Sequence, residues 1–130
     1  MKCLFSMEDE LLPKLRFSEF ENGWILKKYD EIYSFYSTNS LSRDKLNYEN
    51  GEVKNIHYGD IHTKFATLFD ITKEMVPFVN DDIIISNIPS ENYCQEGDLL
   101  IADASEDYKD VGKTVEIVNL NNEKVLAGLH

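Results

Sequence analysis

The residue types that could do chemistry fall in two places. The first is His57-Tyr58-Gly59-Asp60-Ile61-His62-Thr63-Lys64, where two imidazoles and a carboxylate are followed by a hydroxyl and an ammonium. Imidazole and carboxylate suit a divalent ion. Gly59 reads as a bulge or positive-φ point between two extended pieces. On extended backbone His57 and His62 face opposite ways, so they do not share an ion and no metal site is expected. His62, Thr63 and Lys64 instead offer hydrogen-bond donors at the end of a strand, which suits base edges or phosphates. The second place is Gly97-Asp98-Leu99-Leu100-Ile101-Ala102-Asp103-Ala104-Ser105-Glu106-Asp107-Tyr108, followed by Val111-Gly112-Lys113. Ser105 beside Glu106 and Asp107 suggests a nucleophile or an acid-base pair. There is no GxSxG elbow, however, and no orienting third group, so no catalytic set is assembled and the chain reads as non-catalytic. Ser105, Glu106, Asp107 and Tyr108 are expected to hold a loop by hydrogen bonds to backbone. Lys109 and Lys113, close by, suit phosphate. With no P-loop and no Rossmann glycine pattern, no cofactor is expected.

The elements that must position these groups are mostly strands. Val53 and Ile56 lead into the histidine segment, while Asp82-Ile83-Ile84-Ile85-Ser86 and Leu99-Leu100-Ile101-Ala102 are continuous apolar runs of the kind covered on both faces. Thr114 to Val118 and Lys124 to Ala127 form two more, and Asn121-Asn122 between them suits a tight hairpin. Ser34-Phe35-Tyr36-Ser37 alternates like a strand. Tyr29 to Tyr33 reads as one helical turn, and Asp107 to Val111 as another, capped by Ser105 and ended by Gly112. Residues 37–50 are polar and turn-rich, a surface loop carrying Arg43 and Lys45. The fold class is therefore α+β and strand-dominated, a mixed, mostly antiparallel twisted sheet with a few short helices.

Composition sets the outer limits. The 130 residues, 42% hydrophobic and 12% aromatic, suffice for one core. Residues 1–12 read as a lead-in and 13–130 as a single domain. No apolar run approaches the roughly 20 residues that span a bilayer, and Met1 to Ser6 is too short for a secretory leader, so a soluble cytoplasmic protein is expected. Cys3 and Cys94 have no CxxC spacing and read as free thiols. The net charge of -11 opposes autonomous binding to nucleic acid, since phosphate neutralisation supplies most nonspecific affinity. The charge is uneven. Residues 76–110 hold nine acids against Lys109, whereas residues 32–75 carry Arg43, Lys45, Lys54, Lys64 and Lys73 against six acids. Those cations reach phosphates only if folding gathers them on one face.

The phrases Pro13-Lys14-Leu15-Arg16-Phe17, Glu19-Phe20, Gly23-Trp24-Ile25-Leu26-Lys27-Lys28, Ile56-His57-Tyr58-Gly59-Asp60-Ile61, Gly97 to Tyr108, Gly112-Lys113 and Ala127-Gly128-Leu129-His130 follow one another in order. In these phrases the chain resembles the target recognition domain of a type I restriction-modification specificity subunit. The resemblance implies a non-catalytic protein that reads one half of a bipartite target in double-stranded DNA. Methylation and cleavage would reside in partner modification and restriction subunits. It also implies structural roles for Trp24, Gly59, Asp60, Gly97, Asp98, Ser105, Glu106, Asp107, Tyr108, Gly112 and Gly128. The DNA-facing residues, chosen from residue chemistry and loop position, are Arg43, Lys45, His62, Thr63, Lys64, Lys109 and Lys113. The chain resembles only the first portion of one recognition domain, which leads to the expectation of a truncated product with an exposed sheet edge able to self-associate. An acidic decoy that imitates DNA, and a remnant without function, stand as the alternatives.

Overall fold

The computed structural model describes residues 17–102 and 111–128. Contacts divide the chain into two units, between Phe35 and Tyr36. In the first, Phe20 N–H donates to the Phe17 carbonyl, and a single 3-10 turn spans Tyr29–Glu31, its start fixed by the Glu31 carboxylate accepting from Lys28 N–H at 3.2 Å. The expected helical turn is present there, with the Tyr29 and Tyr33 rings 6.0 Å apart.

The second unit is strand-dominated, with few short helices. Its strands are β1 (Leu46–Asn47), β2 (Val53–His57), β3 (Leu68–Asp70), β4 (Phe78–Val79), β5 (Leu99–Ile101), β6 (Thr114–Asn119) and β7 (Lys124–Gly128). One α-helix, α1 (Tyr58–Thr63), follows β2. The strands form two mixed sheets rather than one, ordered β1-β4-β2-β7 and β3-β6-β5. β2 runs parallel to β7 from Val53 against Lys124 to His57 against Gly128, and β3 runs parallel to β6. The other pairs are antiparallel.

The main core includes Ile56, Val125 and Ala127 from the first sheet, Phe69, Val115, Ile117 and Leu100 from the second, and Ile61 of α1 with Phe65 just beyond it. A second cluster, Val53, Val79 and Leu126, is covered by Leu41, Leu46, Ile83, Ile85, Ile88 and Tyr93. Because successive strand residues face opposite ways, Val125 and Ala127 enter one cluster while Leu126 enters the other. The unbroken apolar run of β7 follows from that two-sided burial.

Several sequence expectations are corrected. The segment after β2 is helical, not two extended pieces, and Gly59 has no positive φ. The Asp82–Ser86 run is not a strand: turns closed by Ile83 N–H to Asn80 and Ile88 N–H to Ile85 leave it without a ladder partner, and Ile83 and Ile85 pack inward while Ile84 is exposed. Residues 34–37 form no strand either, and Phe35 lies in solvent. β5 is covered on one face only, with Leu100 buried between exposed Leu99 and Ile101. Residues 37–50 are more structured than a surface loop: Asn39 bridges to Gly128, a 3-10 turn spans Arg43–Lys45, and β1 follows. The helical turn expected at Asp107–Val111 lies largely outside the described residues.

Asn121 and Asn122 do take the left-handed conformation, φ 51° and 58°, in a turn closed by Glu123 N–H to the Leu120 carbonyl at 2.9 Å. That turn joins two sheets and not a hairpin. Both edges of β6 are occupied by β3 and β5, while β7 lies between β2 and the Tyr93–Cys94 segment, whose Cys94 N–H donates to Val125 at 2.8 Å. Cys94 is a free thiol, pushed up to about 12 by burial and the nearby Asp98 carboxylate. It is therefore a poor nucleophile at neutral pH.

The join between β2 and β7 relies on close approach. Buried Asn55 accepts a hydrogen bond from Asn39 Nδ2 at 2.7 Å, and a Cβ on Gly128 would stand 2.8 Å from Asn55 Nδ2 and 2.9 Å from Asn39 Oδ1. Gly128→Ala therefore disrupts this pair. The expected loss is about 1–3 kcal/mol of stability, read as a lowered urea midpoint with unchanged m-value, and a midpoint equal to that of the parent chain counts against this packing.

Candidate functional site

The helix α1 begins where β2 runs out of ladder. His57 keeps extended backbone (φ -90°, ψ 137°), and its Nδ1 accepts the Gly59 N–H at 3.2 Å, so an imidazole performs the capping that Ser or Asp usually performs. Thr63 Oγ1 donates back to the Gly59 carbonyl at 2.8 Å. At the far end, Lys113 Nζ donates to the His62 carbonyl at 2.9 Å, placing a cation where the last carbonyls of a helix favour one.

Ile61 drives into the main core and takes its neighbour with it: Asp60 is 0% exposed. A carboxylate there requires counter-charge. Arg43 supplies it from the 3-10 turn before β1, with Nη2 2.9 Å from Oδ1 and Nη1 3.4 Å from Oδ2, and Lys64 adds Nζ at 2.9 Å from Oδ1. Gly59 has a role in this approach, since a Cβ there would stand 3.1 Å from Arg43 Nη2. Burial pushes the Asp60 carboxyl up, but the hydrogen bonds from Arg43 and Lys64 outweigh it and hold the group below its ordinary value. The two cations stay about half exposed, at 50% and 49%, so each has donors left for solvent or a ligand. Tyr48 lies near both and Tyr58 near Arg43. The Tyr58 ring stacks on His57 at 4.7 Å and meets His62 edge-on at 6.2 Å.

Five of the expected DNA-facing residues thus converge on one six-residue helix: Arg43, His62, Thr63, Lys64 and Lys113. They sit on a helix and its flanks, not at a strand end, which corrects the extended reading of this segment. Lys45, on the same 3-10 turn as Arg43, lies 3.6 Å from Asp44 and makes no ion pair with Asp60 among the described residues. Lys109 lies outside the described residues, as do Ser105, Glu106, Asp107 and Tyr108. Lys54 and Lys73 are taken up by Glu123 at 2.6 Å and Asp70 at 2.8 Å. Trp24 is exposed. Gly97 and Gly112 hold φ of 95° and 80°, values that favour glycine, and Asp98 accepts from Gln95 N–H at 2.8 Å. The sequence reading missed Tyr48 and Tyr58 as neighbours of the cations. Among the described residues no group of three or more His, Cys, Asp or Glu could hold a metal ion, and no helix is long and apolar enough to cross a membrane.

Chemically, the arrangement offers a patch of hydrogen-bond donors beside two aromatic rings, suited to anionic oxygens and planar groups. Compared with known proteins, the chain matches no family model, no curated protein and no solved structure.

Two outcomes follow from this geometry. Burial, and then the Arg43 cation, lower the His57 pKa from 6.5. Below that value the unfolded chain binds more protons than the folded one, so stability falls as pH drops through about 6.5. His57→Asn, which keeps a capping acceptor, is expected to flatten the loss between pH 7 and 5, and an unchanged slope in denaturation curves counts against the cap. Separately, Arg43→Met and Lys64→Met each leave Asp60 one counter-charge, while the double variant leaves none. Their double-mutant cycle is expected to show a loss exceeding the sum of the singles, approaching the roughly 3–5 kcal/mol cost of stranding a buried charge. Additive losses count against a shared carboxylate.

Proposed function

We propose that the chain recognises double-stranded DNA as part of a type I restriction-modification specificity subunit. It reads one half of a bipartite target without catalysing a reaction, inside the cytoplasm. Type I modification subunits are its partners, with the restriction subunit engaged through them. The observation that carries this reading is the meeting of Arg43, Lys64 and Lys113 around α1 in a chain whose net charge is -11. Asp60 neutralises one of the three charges, which leaves a local excess of positive charge, and neutral His57 adds none. The ordered phrases from Pro13 to His130 support the same reading through their resemblance to specificity subunits.

The role of each group follows from its chemistry. Arg43 and Lys64, fixed on one side by Asp60, meet phosphate oxygens with their outward donors and set the register of the duplex. Lys113 adds a contact at the C-terminal end of α1, where it donates to the His62 carbonyl. His62 and Thr63, on the last turn, are the residues we assign to base edges, with the phosphate contacts left to the cations. Three cations cannot hold a duplex against the charge of the whole chain, so the partner subunits supply the remaining electrostatic attraction. The acidic-decoy alternative has less support: Glu96 and Asp98 spend their carboxylates on the backbone amides of Leu120 and Gln95, where a phosphate mimic would display them.

Fluorescence anisotropy with random duplex DNA, at low and moderate salt and with and without type I modification subunits, tests this. The expected result is binding that appears or becomes sequence-selective with those subunits, and a salt slope reduced by about one in Lys113→Gln. No binding in either condition by a folded chain overturns the proposal.

A further inference from the structure

The outward face of the second sheet carries four apolar side chains around Glu116 and Thr114, where one solvated face of a sheet usually carries polar side chains. Register sets Leu68, Glu116 and Leu99 side by side across β3, β6 and β5, with Ile101 beside Thr114 in a neighbouring row. Val118 follows Glu116 on the same face of β6. Leu68 is 58% exposed, Ile101 45%, Val118 41% and Leu99 39%. Their buried neighbours Phe69, Val115, Ile117 and Leu100 point the other way, into the main core. Glu116, in the middle of the patch, has no ion partner among the described residues.

Two dimensions narrow what could cover this face. Strands lie about 4.8 Å apart, so Leu68 and Leu99 flank Glu116 at a span of about 10 Å, the width of an α-helix with its side chains. A second copy is a poor fit. A two-fold contact centred here would bring Glu116 toward its own counterpart, between chains that each carry a net charge of -11. The geometry points to an amphipathic helix of a partner protein, with an apolar stripe that covers Leu68, Leu99, Ile101 and Val118 and a lysine or arginine that meets Glu116. This surface belongs to different elements from the α1 cluster, and the inference does not depend on DNA binding.

The test uses two synthetic helical peptides with the same leucine stripe, one flanked by lysines and the other by glutamates, titrated into the full chain by calorimetry. The lysine peptide is expected to bind. Leu68→Ser with Leu99→Ser is expected to weaken it at least tenfold, and Glu116→Lys to transfer the preference to the glutamate peptide. Circular dichroism establishes that each variant is folded, and the Glu116→Lys swap, at an exposed position, decides the matter if the serine variant unfolds. Absence of binding, or binding that survives all of these substitutions, overturns the inference. So does self-association through Leu68 and Leu99 in sedimentation, which would assign the face to a second copy.

Discussion

A carboxylate with no exposure to water has to be neutralised where it stands, and Asp60 meets that requirement with Arg43 and Lys64. Much of the second unit's arrangement connects to this one need. Asp60 is buried because Ile61, its neighbour on α1, fills the core. Arg43 reaches it only because the chain before β1 passes close to α1 and Gly59 has no side chain in the way. The pair therefore ties the residue 37–50 segment to the helix that follows β2, two pieces of chain seventeen residues apart at Arg43 and Asp60. Half-exposed cations outside, a buried anion inside and a core side chain beside it form one unit.

The same constraint resolves the charge paradox of the chain. Net charge describes solubility and long-range attraction, not the local field at a patch. Lys54 and Lys73 are absorbed by Glu123 and Asp70, whereas Arg43, Lys64 and Lys113 are drawn to one helix. Sequence counting treats these cations alike. Only the folded register separates the spent from the available ones.

Much of the sheet framework was legible because it rests on local pattern. β2, β6 and β7 stand where Val53–Ile56, Thr114–Val118 and Lys124–Ala127 suggested, and the Asn121-Asn122 turn has the left-handed backbone its residues favour. The failures each have a physical cause. α1 went unread because its cap is an imidazole and its six residues are too few to display a 3.6-residue period. Ile83 to Ile85 resembled a buried strand because an apolar run reports burial and not pairing, and here turns at Asn80 and Ile85 consume the backbone groups. The β6–β7 hairpin failed because pairing is decided by which edges are already taken. At the site, residue chemistry selected Arg43, His62, Thr63, Lys64 and Lys113, but not the carboxylate that organises two of them. In sequence Asp60 groups with His57 and His62 and not with Arg43, since its seventeen-residue reach to Arg43 leaves no local periodicity.

The most direct measurement is the titration of the Asp60 side chain by carbon-detected NMR in the full chain and in the Arg43→Met and Lys64→Met variants. A buried carboxylate held by two cations stays ionised below the ordinary carboxylate range in the parent and titrates at higher pH when either cation is removed. An Asp60 that titrates at the ordinary carboxylate value in the parent, unmoved by either substitution, would contradict the arrangement on which the site is built.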